Sequence, residues 1–153
     1  MADVEFSGNF AHTIDSKGRA TIPSAYRELL GGNFTVGLNN DFSAIALYPA
    51  GKWEDMGRRL RKIPETDARG MAYVRLIQAF SFSGQSLDAQ GRILLPSALR
   101  EKTGMNRDIR FVGVGQYLEI WDEARFVQVT AQAELDVENL LAYVNDRYYA
   151  PED

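Results

Sequence analysis

The sequence of 153 residues contains no cysteine, which excludes disulfides, thiolate metal sites and cysteine nucleophiles. It contains one histidine, His12, so a Ser-His-Asp triad would have to use that residue and a zinc site would lack a second imidazole. No apolar run approaches the length of a membrane span, and the first ten residues lack the basic and apolar regions of a signal peptide. These absences lead us to expect a cytoplasmic protein that does not use a membrane as a partner.

The charge is low overall but unevenly distributed. The formal net charge is −4, yet residues 57–110 contain eleven basic and five acidic side chains. Residues 134–153 contain six acidic side chains and one basic one. The net charge therefore does not exclude a polyanionic partner, because a local patch decides which partner is attracted. The basic run at residues 58–62 fits such a patch and a solvated helix face about equally well.

An internal repeat is the most informative feature of the sequence. Residues 15–31 align without a gap to residues 88–104, at a constant offset of 73 residues. Nine of the 17 aligned positions are identical, whereas unrelated segments would share roughly one. The same offset relates Tyr48 to Trp121 and Trp53 to Phe126. The chain therefore contains a duplicated module.

Each copy of the module contains the motif Asp-x-x-Gly-Arg, which predicts a tight hairpin turn. The aspartate can accept hydrogen bonds from the backbone of the turn, and the glycine supplies the positive φ that the turn needs. A turn-stabilising role is therefore predicted for Asp15, Gly18, Asp88 and Gly91. Strand-forming residues flank the turns at positions 10–14 and 19–22, and at positions 82–87 and 92–95.

The rest of each module also follows one pattern. Pro23 or Pro96 precedes a short helix, and Gly31 or Gly104 stands where such a helix ends. Two further strands are predicted after each helix, at residues 34–38 and 44–48 and at residues 109–114 and 117–121. Each module is thus expected to have the order β-β-α-β-β.

A module of about 45 residues is too small to bury an adequate core alone. We therefore predict an α+β, β-rich fold in which the two modules interlock as a pseudo-twofold pair around one barrel-like core, with flanking helices. The predicted boundaries are residues 7–54 and 81–126 for the modules, 55–80 for a helical connector and 127–153 for a helical acidic tail. No linker rich in glycine, serine or proline separates the halves, so we expect one compact object.

The doubled motif, each copy followed by Pro and Ser-Ala-x-Arg-Glu, resembles the MraZ family of bacterial transcriptional regulators. The resemblance spans roughly residues 5–130 and includes the segment Leu-Tyr-Pro before Trp53 and its echo Glu-Ile-Trp-Asp at residues 119–122. It implies two swapped-hairpin modules of the SpoVT-AbrB type and ring-like homo-oligomers. It also implies sequence-specific binding of double-stranded DNA at promoter repeats of the division and cell-wall gene cluster, and hence association with the nucleoid.

The proposed DNA-binding residues are Lys17, Arg19 and Arg92. A guanidinium is permanently charged and can make bidentate contacts to phosphate or to guanine O6 and N7, and a lysine adds a point charge. Lys17 has Gln90 as its counterpart, so the second turn is expected to be less basic. In the alternative interpretation each arginine only pairs with the aspartate of its own turn.

Two other classes of function compete with a DNA-binding regulator. A ring-forming scaffold with incidental nucleic-acid binding is the alternative. An enzyme is not expected, because the Gly-x-Gly at residues 113–115 lacks a third glycine and His12 has no partner for a triad or a metal site. Tyr48, Trp53 and Trp121 are interpreted as core or interface residues. No cofactor, metal or small-molecule substrate is therefore predicted.

The acidic tail lies outside the diagnostic part of the resemblance. Its apolar residues recur at helical spacing, which predicts an amphipathic helix (Leu135, Val137, Leu140, Leu141, Val144 and Tyr148). The tail could dock on a module or on a neighbouring subunit, or it could repel non-specific DNA through its negative charge.

Overall fold

The computed structural model of the chain describes residues 5–151. The first module contains β1 (Asn9–Thr13), β2 (Arg19–Thr21), α1 (Ser24–Leu30), β3 (Phe34–Leu38) and β4 (Ile45–Pro49). The connector forms α2 (Ala50–Leu60) and α3 (Ala68–Ala79). The second module contains β5 (Phe82–Gln85), β6 (Arg92–Leu94), α4 (Ser97–Lys102), β7 (Asp108–Gly113) and β8 (Leu118–Asp122). The remaining elements are α5 (Glu123–Leu135), α6 (Val137–Val144) and a π-helical turn (Asn145–Tyr149).

The order β-β-α-β-β is present in both modules, with strand ends that differ from the predicted ones by at most two residues. The connector is interrupted at residues 61–67, which include Pro64 and separate α2 from α3. The second of these helices begins at an aspartate cap, because Asp67 Oδ1 accepts a hydrogen bond of 3.0 Å from the backbone N–H of Gly70. Arg58 of the basic run pairs with Glu54 and Asp55 on the exposed side of α2.

The strands of the two modules are interleaved in one antiparallel sheet of order β1-β7-β8-β4-β3-β5. The first strand of each module pairs with the third strand of the other, since β1 pairs with β7 and β5 pairs with β3. The second strands, β2 and β6, form a separate two-stranded ribbon. The structure is therefore a mixed α+β fold with a large antiparallel sheet.

The barrel-like closure that we expected is not found among residues 5–151, because the sheet there is open. Its two edges are β1 and β5, whose residues are mostly exposed. Closure would require these edge strands to pair with each other. Instead, the chain turns after each of them and enters the separate ribbon of β2 and β6.

One hydrophobic core serves both modules. Its buried side chains come from both copies and include pairs related by the offset of 73 residues, such as Ile22 with Leu95 and Tyr26 with Leu99. The sheet adds Leu47, Ile109, Phe111, Leu118 and Ile120, all of them fully buried. A small module that could not bury a core alone thus does so against its copy.

Buried polar groups near the core are paired. Glu119 is buried in β8, where Oε2 accepts a hydrogen bond of 2.9 Å from Asn39 and Oε1 accepts one of 2.9 Å from the indole N–H of Trp121. Tyr48 donates a hydrogen bond of 2.7 Å to the carbonyl oxygen of Leu38. Burial raises the pKa of this phenol, which therefore stays a neutral donor.

The chain divides into two compact units. Both modules and the connector belong to the unit that ends at Glu123, and a second unit begins at Ala124. The expectation of one compact object is therefore met by the modules but not by the tail. The described part of the tail forms α5, α6 and the π-helical turn, and residues 152 and 153 of the predicted tail lie outside the described residues. Its apolar side chains are largely exposed, with Leu135 90% exposed and Leu141 59% exposed. No helix in the described part of the chain combines the length and the apolar character that crossing a membrane requires.

Candidate nucleic-acid interface

The first Asp-x-x-Gly-Arg motif forms a turn that is held by one carboxylate. Oδ1 of Asp15 accepts hydrogen bonds of 2.9 Å from the backbone N–H groups of both Lys17 and Arg19. Oδ2 accepts a third bond of 2.9 Å from Nε of Arg19. Gly18 has φ of +83°, a conformation that other residues adopt at a cost. The motif therefore defines both the path of the turn and the direction of its arginine.

The second motif repeats this geometry. Oδ1 of Asp88 accepts hydrogen bonds from the backbone N–H groups of Gln90, at 2.9 Å, and of Arg92, at 2.8 Å. Oδ2 accepts a bond of 2.8 Å from Nε of Arg92, and Gly91 has φ of +75°. The exchange of Lys17 for Gln90 leaves the geometry unchanged because the turn uses only the backbone at that position.

These hydrogen bonds lower the pKa of both carboxyl groups. For Asp15 the largest cause is the backbone N–H of Arg19, and the guanidinium of the same residue adds to it. The backbone N–H and guanidinium of Arg92 lower the pKa of Asp88 in the same way. Both aspartates are therefore charged at neutral pH, with their charge directed into the turn.

Each turn arginine retains two uncommitted nitrogen atoms. Arg19 and Arg92 use Nε for the aspartate, and within residues 5–151 neither Nη atom of either residue has a protein partner. The side chains are 30% and 28% exposed, respectively. An arginine can thus pair with its own aspartate and still present the two terminal nitrogens to a ligand. Pairing within the turn and binding of a ligand are therefore compatible roles for these arginines.

The ribbon of β2 and β6 places the two arginines on one face. In its register Arg19 lies opposite Leu94 and Arg92 lies opposite Thr21. These four side chains share the outward face, whereas the central pair, Ala20 and Ile93, is buried in the core. The arginines lie two residues apart along the ribbon, which corresponds to about 7 Å. Lys17 is exposed at the first turn and adds to this surface.

The structure adds two arginines that the sequence analysis did not select. Nε of Arg27 donates a hydrogen bond of 2.8 Å to the carbonyl oxygen of Ile22. Its guanidinium lies so close to Gly91 that a methyl group there would lie 2.4 Å from Cζ of Arg27. The arginine of the first module therefore covers the turn of the second.

Arg100 makes the corresponding contacts in the opposite direction. Its Nε donates a hydrogen bond of 3.0 Å to the carbonyl oxygen of Leu95, and a methyl group on Gly18 would lie 3.0 Å from its Nη2. Arg27 and Arg100 are related by the offset of 73 residues, and this identity within the repeat was the signal that could have revealed them.

The backbone ties each turn to the other module as well. The N–H of Ile22 donates a hydrogen bond of 2.8 Å to the carbonyl oxygen of Gly91. The N–H of Leu95 donates one of 2.9 Å to that of Gly18. The position of each turn is therefore determined by both modules.

The remaining candidate residues have structural surroundings. His12 is exposed on β1, where Nδ1 accepts a hydrogen bond of 2.9 Å from the backbone N–H of Thr13. Gly113 permits close approach of two backbones, because a methyl group there would lie 2.3 Å from the nitrogen of Ser7. Trp121 and Tyr48 are buried, and the ring of Trp53 packs at 5.7 Å from that of Tyr48. Across residues 5–151, no three histidine or acidic side chains gather as metal ligands would.

A duplicated α+β module with two matched, arginine-bearing turns on a shared ribbon defines a tandem-repeat protein with a cationic turn surface. The chain belongs to the MraZ family, since the family model described as "MraZ protein" matches residues 6–75 and 83–147. The interruption between the two matched segments lies at the end of α3 and the start of β5.

Named relatives agree with this membership. The chain is 40% identical over 146 residues to the transcriptional regulator MraZ of Desulforamulus reducens, in a match that covers 92% of this chain and 98% of the relative. It is 43% identical over 126 residues to the transcriptional regulator MraZ of Moorella thermoacetica, covering 79% and 83%. The names of these relatives confirm the expectation of a regulator family rather than an enzyme family.

Proposed function

We propose that this chain is a sequence-specific, DNA-binding transcriptional regulator that recognises repeated promoter boxes of the division and cell-wall gene cluster. The observation that carries the proposal is the shared outward face of Arg19 and Arg92. Each guanidinium is oriented through Nε by its aspartate, so that the two Nη atoms can reach a phosphate or a guanine edge. Lys17 contributes a contact to the phosphate backbone.

The arrangement is preorganised for binding. Each turn is tied to its own aspartate and to the backbone of the other module, so that little conformational entropy is lost when DNA binds. The aspartates act on the arginines and the turn rather than on DNA, because their oxygens are occupied by hydrogen bonds within the turn. The exchange of first strands between the modules supports a swapped-hairpin arrangement of the SpoVT-AbrB type.

Assembly into a homo-oligomeric ring supplies the remaining affinity in this proposal. Two turn arginines and one lysine are few contacts for a specific DNA complex. Several copies that engage adjacent boxes would convert weak contacts into avidity. We expect short tandem boxes spaced by about one helical turn, ~10 bp, and a location at the nucleoid.

The direct test is a pair of arginine variants. Arg19→Ala and Arg92→Ala should each abolish retardation of a duplex from the promoter of the gene cluster, with an unchanged far-UV circular dichroism spectrum. Arg75→Ala, an exposed change on α3 with the same loss of charge, is the matched control and should bind normally. If both turn variants bind the promoter duplex as the unaltered chain does, the assignment of the site is wrong.

A ring-forming scaffold is the second candidate, and the exposed apolar side chains of α5 and α6 favour assembly. The two candidates differ in their response to salt. Binding through phosphate contacts weakens steeply between low and physiological salt because counterions are released. Native mass with and without the promoter duplex measures assembly and DNA binding together. A ring whose mass does not change with DNA would favour the scaffold.

A further inference from the structure

A second matched pair of arginines lies beside the turns but outside their sequence motif. Arg27 and Arg100 occupy α1 and α4, at identical positions of the repeat. Within residues 5–151 neither of them pairs with a carboxylate. Each of these guanidinium groups lies beside a proposed DNA contact and pairs with no carboxylate in this part of the chain. This suggests a role in binding DNA rather than in an internal ion pair.

The geometry points to Arg27 and Arg100 as phosphate-binding residues that each module supplies to the turn of the other. The inference rests on the proposed DNA-binding function and extends it. The first turn would then present Arg19 together with Arg100, and the second would present Arg92 together with Arg27. Each site of contact with DNA would be a two-arginine unit built from both halves of the chain.

The anchoring of these arginines matches that of the turn arginines. Arg27 and Arg100 donate through Nε to a backbone carbonyl oxygen, just as Arg19 and Arg92 donate through Nε to a carboxylate. In every case one nitrogen orients the planar group and the two Nη atoms are available. Such a fork suits the oxygens of a phosphate.

The turn glycines make room for the incoming groups. A methyl group on Gly91 would collide with Arg27, and one on Gly18 would be in tight contact with Arg100. The positive φ of both residues favours glycine in its own right, and a side chain there would also have to displace the end of an arginine side chain. Because glycine carries no side chain, nothing at these positions separates the guanidinium from a ligand at the turn.

The surroundings of the first turn also suit a polyanion. An open cavity of about 590 Å³ lies beside this turn and is lined by both Arg100 and Arg107. Asp15, which also borders the cavity, has its oxygens engaged by Lys17 and Arg19. The cavity therefore has two arginines in its lining beside the turn that carries Arg19.

A division of roles between the arginines follows from their places. Arg19 and Arg92 lie on the outward face of the ribbon, where a base edge can be reached. Arg27 and Arg100 reach the turns from the helices that follow the ribbon strands. Phosphates border the groove in which bases are read, so the helix arginines are assigned to the backbone of DNA. Such contacts strengthen binding to all sequences alike.

The test measures binding of Arg27→Gln and Arg100→Gln to the promoter duplex and to a random duplex of equal length, over a series of salt concentrations. Both variants should bind both duplexes more weakly. The slope of log K against log salt should become shallower by about 0.9 for each phosphate that is no longer bound. Arg27→Lys and Arg100→Lys keep the charge and should keep most of the slope.

The controls separate this inference from the alternatives. Arg75→Gln removes the same charge from α3 and should leave the slope unchanged, and a thermal melt reports whether each variant is folded. The assignment would be overturned by a folded Gln variant that keeps the slope of the unaltered chain. It would also be overturned if binding became weaker for the promoter duplex alone, or if Arg75→Gln changed the slope by the same amount. If a Gln variant does not fold, the Lys variant decides, because a phosphate-binding role requires it to retain the slope. If the slope does not change in the Gln variants, this inference fails and the proposed site at Arg19 and Arg92 still stands. If the chain without substitutions binds neither duplex, the proposed function fails as well.

Discussion

The guanidinium of Arg27 occupies the space into which a side chain on Gly91 would extend. The two residues belong to different modules, and Arg100 has the same relationship to Gly18. Each DNA-binding turn in our proposal therefore depends on both copies of the repeat. Because both modules belong to one chain, they are always present in equal amounts and are joined in a fixed order.

This relationship predicts that Gly91→Ala does more than strain the backbone. Alanine at positive φ costs about 1–2 kcal/mol in unfolding free energy, and its methyl group must also displace Arg27. Gly84→Ala is the matched control, because Gly84 has φ of +70° and no atom within 4 Å of the added methyl group. Urea denaturation should show a larger loss of stability for Gly91→Ala, and only this variant should weaken DNA binding. Equal effects of the two variants in both measurements would contradict the displacement of Arg27.

Removal of the turn carboxylate distinguishes positioning from simple electrostatics. Asp15→Asn and Asp88→Asn each remove a negative charge near the proposed interface, which by itself would strengthen attraction to DNA. We expect weaker binding instead, because the arginine loses the carboxylate that orients its Nε. Asp108→Asn, on the exposed start of β7, is the control for charge alone. Tighter promoter binding by Asp15→Asn would show that the aspartate does not position the arginine.

The lowered pKa values predict how the turns respond to acid. A carboxyl group whose pKa is lower in the folded than in the unfolded chain stabilises the fold at pH above its unfolded value. That contribution is lost as pH falls through the folded value. NMR titration of the side-chain carboxyl carbons of Asp15 and Asp88 should therefore give midpoints below 3.8. Midpoints at or above this value would mean that the hydrogen bonds to the turn are absent in solution.

The paired carboxylate in β8 predicts a stability effect far from the turns. Trp121→Phe removes the indole N–H that donates to Glu119 and leaves a buried carboxylate oxygen without this partner. The expected cost is about 1–3 kcal/mol in unfolding free energy. Chemical denaturation measures it, and Trp121→Phe combined with Glu119→Leu should recover part of the stability. A single variant as stable as the unaltered chain would argue against the hydrogen bond.

The acidic tail predicts an effect on non-specific binding. Removal of residues 134–153 takes away six acidic side chains and one basic one, and should raise affinity for a random duplex because repulsion of phosphate is reduced. A full-length variant with these carboxylates changed to amides separates charge from docking, and it should show the same increase. Unchanged or lower affinity in the amide variant would contradict a repulsive role.

The local pattern of the sequence was sufficient to predict the turns, the short helices and the order β-β-α-β-β. An aspartate that caps a turn, a glycine at positive φ and a proline before a helix act within a few residues of themselves. The offset of 73 residues predicted that the two modules have the same order of strands, turns and helices. The domain boundaries and the roles of Lys17, Arg19 and Arg92 stay predictions.

The partners of each element were decided only by the tertiary structure. The pairing of β1 with β7 and of β5 with β3, the open sheet and the separate ribbon depend on contacts between residues far apart in the chain. The same holds for the contact between Arg27 and Gly91. The sequence predicts that Arg27 lies in a short helix, but it does not predict that the guanidinium lies against the turn of the other module. Local propensity acts over a few residues, whereas burial of a shared core selects which distant segments meet.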